Sequence, residues 1–70
     1  MNNRIKERRK SLRYTQAELA KAINVSPQVI SNWERRYTTP SSEDIKMLAE
    51  AMNCTADYLL GKTDNPSETD

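Results

Sequence analysis

Four places in this 70-residue chain carry the chemistry of a helix start, and they divide most of it into short helices. Thr15 is followed three residues later by Glu18, a spacing in which the hydroxyl accepts from the Glu18 amide and the carboxylate accepts from the Thr15 amide. Ser26 precedes Pro27, whose fixed φ and missing N–H suit the first helical position. Ser41 follows the chain-breaking Pro40 and stands three residues before Asp44, an acid at the positive end of a helix dipole. Thr55 caps a short last helix carrying Tyr58, Leu59 and Leu60, which Gly61 ends. Gly61 is the only glycine and no β-branched alternation is sustained, so strands have little support. The expectation is an all-α chain of five helices.

Apolar spacing completes the helices. A first helix, over about residues 2–12, aligns Ile5, Arg9 and Leu12 on one stripe, with Arg4, Lys6, Arg8 and Lys10 around it. The second buries Leu19, Ala20 and Ile23, and the fourth, over about residues 42–52, buries Ile45, Leu48, Ala49 and Met52. A chain this short makes one domain with a small core. Its single cysteine, Cys54, excludes an internal disulfide and a cysteine metal cluster, and its apolar neighbours make it a small hydrophobe. No apolar run is long enough to cross a membrane, and the charged start lacks the hydrophobic segment of a signal peptide. A cytoplasmic domain is expected.

Net charge of +1 conceals a division. Residues 1–36 hold nine Lys/Arg and three Asp/Glu, a net of +6, whereas residues 37–70 hold two and seven, a net of −5. A basic half suggests a polyanion as partner, and an acidic half turned away from it would orient the domain.

An internal echo locates the turns. "LAKAINVSP" and "LAEAMNCTA" share a frame 29 residues apart, with an apolar helix end, an Asn, an apolar residue and a hydroxyl cap. Asn24 and Asn53 stand where one helix must give way to the next, and asparagine tolerates the left-handed conformation such a turn uses. Helices two and three are joined only by "NVS", the length of a helix-turn-helix connection. Ala17 and Ala20 would leave room for a neighbouring backbone, Val25 would plug the corner, and Ile30 would face inward.

The third helix then shows what the pair presents. With Val29, Ile30, Trp33 and Glu34 on its inward side, Gln28, Ser31, Asn32 and Arg35 must face out. Gln and Asn can form paired hydrogen bonds to adenine, Arg can do so to guanine or hold a phosphate, and Val29 at the edge could touch a thymine methyl. Glu34 is the misfit, an acid that would repel phosphate if it faced outward. Arg9 is the matching misfit on helix one, and the expectation is a partly buried pair between them.

"TQAELAKAINVSPQVISNWERR" followed by "TTPSSEDIKMLAEAMNCTADYLLG" resembles the phage-repressor and Cro family of helix-turn-helix regulators over about residues 4–61. The resemblance implies a compact five-helix domain of the lambda-repressor-like type, with helices two and three as the helix-turn-helix. It also implies that the domain binds an operator as a dimer, with Gln16 touching phosphate and Gln28, Asn32 and sometimes Val29 reaching bases. The Arg9–Glu34 pair is implied too. Pro27 departs from the family by standing where many members carry a base-reading polar residue. Arg36 stands where glycine is usual, so either the cap is strained or the helix runs one residue further. Asn24 and Asn53 replace turn glycines.

The functional expectation is a sequence-specific DNA-binding transcriptional regulator, a repressor on a palindromic operator, acting as a homodimer that need not be strong in solution. Base readout is assigned to Gln28, Val29, Ser31 and Asn32, and backbone contacts to Gln16, Arg35, Arg36, Tyr37 and Thr38. The dimer surface is expected at the start of helix five, residues 54–58. The alternative is a protein-interaction module of antitoxin or anti-repressor type. An enzyme is not expected: the chain has no histidine, one glycine cannot build a phosphate loop, and the acids lack catalytic partners. No cofactor, metal, membrane or small-molecule ligand is called for. Residues 1–61 form the expected domain, and residues 62–70 a flexible acidic tail or the start of a linker.

Overall fold

The computed structural model describes residues 4–65, and these form five α-helices and no strand. They are α1 (Ile5–Ser11), α2 (Gln16–Ala22), α3 (Pro27–Glu34), α4 (Ser42–Ala51) and α5 (Ala56–Leu59). Residues before Arg4, where the first helix was expected to begin, lie outside the described residues, as do residues 66–70.

The helix starts follow local chemistry. Thr15 Oγ1 accepts from the Glu18 amide at 3.0 Å while Glu18 Oε1 accepts from the Thr15 amide at 2.8 Å. Ser41 and Asp44 make the same reciprocal pair, both bonds at 3.1 Å. Thr55 Oγ1 accepts from the Tyr58 amide at 3.1 Å. Ser26 holds the cap position of α3 without a side-chain cap bond, so Pro27 at the start of the helix is its main local signal.

The helix ends share one device. After each helix the second residue beyond the last turn is left-handed: Arg13 at φ 63°, Asn24 at 62°, Arg36 at 64°, Asn53 at 52° and Gly61 at 80°. Each is stapled by two reversed amide bonds, as where Val25 N donates to Ala20 O (2.9 Å) and Asn24 N to Lys21 O (3.3 Å). These bonds satisfy carbonyls that the helix leaves open and turn the chain sharply. Asn24 and Asn53 behave as the internal echo predicts. Arg36 resolves the choice left by the sequence in favour of the strained cap: α3 ends at Glu34, and Arg36 takes the left-handed position a glycine would fill more easily. Arg13 does the same after α1, without a sequence signal.

The core gathers Ile5, Leu19, Ala20, Ile23, Ile30, Trp33, Ile45, Leu48, Ala49, Met52, Tyr58 and Leu59, drawn from all five helices or their caps. α2 packs on α3, α4 on α5 and α1 on α3. One expectation at the α2–α3 crossing fails. Ala20 is buried there, but Ala17 is exposed, because Gln16 and Ala20, one turn apart, take the inward edge. Among the described residues no helix is long and apolar enough to cross a membrane.

α1 is tied to the far end of the chain. Arg4 N donates to Leu59 O at 2.9 Å, and its guanidinium carbon lies 4.9 Å from the centre of the Tyr58 ring. Asp64 pairs with the same guanidinium, while Tyr58 OH donates to Glu7 Oε2 at 3.3 Å. Lys62 N donates to Asp57 O at 2.8 Å. The first residues past Gly61 therefore turn back onto α5 and α1.

Candidate nucleic-acid interface

The outer face of α3 is set by what holds its back. Ile30 and Trp33 are buried, and Glu34, one residue on, is drawn under the helix by Arg9. Arg9 Nε donates to Glu34 Oε2 at 2.7 Å and Arg9 Nη2 to Glu34 Oε1 at 3.2 Å. The two side chains are only 9% and 3% exposed. Arg9 Nη1 donates to Tyr14 O at 2.8 Å, and Gln16 Nε2 to Glu34 Oε1 at 3.0 Å. An acid that would repel a polyanion from the open face thus serves as the hub joining α1, α2 and α3, paired and hydrogen-bonded as a buried charge must be.

With α3 fixed, the polar groups fall on its other side. Gln28 and Arg35 are exposed, Ser31 and Asn32 are half-buried, and Val29 is half-buried at the edge of the core. Gln28 Nε2 donates to Asn32 Oδ1 at 3.0 Å, one helical turn along. Arg36, Tyr37 and Thr38 follow α3 on exposed backbone, Tyr37 with 71% of its surface open. Tyr37 N donates to Asn32 O at 2.9 Å, which folds this segment back toward the end of α3. Gln16 stands apart from the rest. It is half-buried and one of its amide hydrogens goes to Glu34, so it borders the face with a fixed orientation.

Other residues took roles that residue spacing does not reveal. Arg8 reads as one of several solvated cations on α1, yet its Nε donates to Met52 O at 2.9 Å and its Nη2 to Asn53 O at 3.0 Å. It neutralises the negative end of α4. The only available signal is its place one turn from Leu12 and Arg4, too common a pattern to be specific. Cys54, beside this cap, has its thiol pushed above its ordinary pKa by burial, with Arg8 acting partly against that. Tyr58 was expected on a dimer surface, but it is buried beneath Arg4 and cannot offer its ring to a second chain. Its register on so short a helix turns the ring into the α1 contact, leaving residues 54–57 half-buried in that stretch. Among the described residues no group of three or more metal-ligating side chains is gathered.

Residues 5–59 match the family model described as helix-turn-helix. The chain belongs to the helix-turn-helix family. It is 47% identical over 60 residues, 86% of its length, to the repressor protein C2 of Salmonella phage P22, of which it covers 28%. It is 38% identical over its whole length to the HTH-type transcriptional regulator ImmR of Bacillus subtilis (strain 168), of which it covers 57%. The HTH-type transcriptional regulator DicA of Escherichia coli (strain K12) is 35% identical over 86% of this chain, which spans 44% of that protein. The chain thus spans between about a quarter and somewhat over half of these relatives. In three dimensions it resembles the P22 c2 repressor in complex with a synthetic operator, with a TM-score of 0.80, 45% identity, and coverage of 86% of this chain and 91% of that one. The DNA-binding domain of the same repressor in solution gives 0.82 and 44%, covering 100% and 96%.

Proposed function

We propose that this domain is the DNA-reading part of a transcriptional repressor, acting in the cytoplasm as a homodimer on a palindromic operator. The observation that carries this is the outward row of Gln28, Ser31, Asn32 and Arg35 on a helix whose one acid is locked behind it by Arg9. The likeness in sequence and shape to a repressor bound to its operator supports the same reading. α3 enters the major groove with its first turns leading. Gln28, Val29, Ser31 and Asn32 meet base edges, and Gln16, Arg35, Arg36, Tyr37 and Thr38 hold the phosphates on either side. A second copy reads the symmetric half-site about one helical turn away, roughly 34–36 Å along the duplex. The half-buried residues 54–57 are the surface through which the copies meet. No catalytic step belongs to this function.

Selection of binding sites from random duplex DNA tests the proposal. The expected result is an enriched, roughly palindromic site, with binding that weakens steeply as salt rises. Gln28→Ala and Asn32→Ala should each relax preference at their own base positions. Arg35→Ala and Arg36→Ala should instead weaken binding to all sequences and flatten the salt slope by about one unit each. No enriched sequence together with weak, salt-insensitive binding would overturn the proposal in favour of a protein-docking face.

A further inference from the structure

Gln28 and Asn32 are not two independent readers in this structure. Their carboxamides are joined end to end, Gln28 Nε2 donating to Asn32 Oδ1 at 3.0 Å along the open face of α3. A carboxamide carries its acceptor and its donors on opposite sides of one planar group. Turning Nε2 toward Asn32 therefore turns Oε1 of Gln28 away from it, and turning Oδ1 toward Gln28 leaves the Nδ2 donors of Asn32 on the far side. A lone exposed glutamine has no such preference, because rotating its amide by half a turn exchanges oxygen for nitrogen at almost no steric cost. Asn32, half-buried and on the same side of the helix, supplies the missing constraint.

Given the DNA-binding function proposed above, on which this depends, we infer that Asn32 sets the base preference of Gln28 by fixing which end of its amide faces the groove. Held this way, Gln28 offers an acceptor first and keeps one Nε2 hydrogen free of the bond to Asn32. That pattern matches adenine, whose N6 donates and whose N7 accepts, and it disfavours guanine and thymine, which present acceptors where the Gln28 oxygen lies. Asn32 is a positioning residue at the Gln28 base position, in addition to whatever base it meets through Nδ2.

The decisive comparison uses site selection with four proteins. Gln28→Ala locates the base position that Gln28 reads, because preference there disappears. Asn32→Ala should then lower the preference for adenine over guanine and thymine at that same position by about tenfold, although residue 28 is unchanged. Asn32→Asp keeps an oxygen to accept from Gln28 Nε2 and should restore the preference, even if its negative charge weakens binding to every sequence. The pair lies at the surface, so thermal unfolding of the three variants should stay near that of the parent chain, separating a readout effect from a folding one. The inference is overturned if Asn32→Ala leaves the Gln28 position as selective as before, or if Asn32→Asp loses selectivity there as fully as Asn32→Ala. Either result with an enriched parental site refutes only the coupling. A parental protein that enriches nothing removes the DNA-reading function and the coupling together.

Discussion

Replacing Arg9 by alanine should cost this domain much of its stability. The guanidinium makes three hydrogen bonds, at 2.7 and 3.2 Å to Glu34 and at 2.8 Å to Tyr14 O. Its removal leaves a carboxylate whose side chain is 3% exposed with Gln16 Nε2 as its one remaining donor among these bonds. Stranding one member of a buried pair costs on the order of 3–5 kcal/mol, far more than the net worth of the pair, because the desolvation of the survivor is no longer offset. A domain of this size has roughly 3.5–10 kcal/mol in all at about 0.05–0.15 kcal/mol per residue. The thermal midpoint should therefore fall by about 12–40 °C, at roughly 4–8 °C per kcal/mol. Urea unfolding followed by circular dichroism measures the loss. Arg9→Met combined with Glu34→Leu provides the control. It removes both charges and fills the space with apolar groups, so it should lie within about 1 kcal/mol of the parent chain while each single change lies far below. A loss under about 1 kcal/mol for Arg9→Ala, or strict additivity in the double variant, would refute the view that Glu34 is a buried hub.

Further outcomes follow from the helix ends and from the cysteine beside one of them. Arg8→Ala should cost about 1 kcal/mol in urea unfolding by opening the Met52 and Asn53 carbonyls, and Arg8→Lys should recover only part of it because one ammonium does not reproduce the fork. Arg36→Gly should raise the thermal midpoint, because relief of a left-handed residue, about 1–2 kcal/mol, exceeds the roughly 0.5–1 kcal/mol of extra chain entropy that glycine loses, while weakening DNA binding if Arg36 holds a phosphate. Cys54 should react with thiol reagents at pH 8 more slowly than the same cysteine in the unfolded chain, since burial disfavours its thiolate. By the same sign, the folded state holds the Cys54 proton more tightly than the unfolded one. Stability should be unaffected by Cys54 at neutral pH and decline as pH rises past the unfolded thiol's pKa, which a Cys54→Ala comparison in alkaline melts would isolate.

Three of the helix starts and two of the turns are written in residues that lie next to one another. Thr15 with Glu18, Ser41 with Asp44, and Thr55 make their bonds to partners three residues away, so the information for each start is complete within one turn of chain. Asn24 and Asn53 mark their stops because asparagine lowers the cost of a left-handed residue whatever surrounds it. The Arg9–Glu34 contact was legible for a different reason: each charge stands on a stripe that is otherwise apolar, and two opposite misfits imply one another. Groups without such a conflict took their roles only when distant elements packed together. Arg8 could as well have stayed in water, and only the approach of α4 gave it two carbonyls to cap. Arg13 and Arg36 became left-handed because packing on either side ended α1 and α3 there, overriding a local preference of about 1–2 kcal/mol. Tyr58 turned inward to lie beneath Arg4, and Asp64 pairs with the same guanidinium, both across more than fifty residues of sequence. Local hydrogen bonds are written into neighbouring residues, whereas the choice among equally solvated cations and rings is made only when distant helices meet.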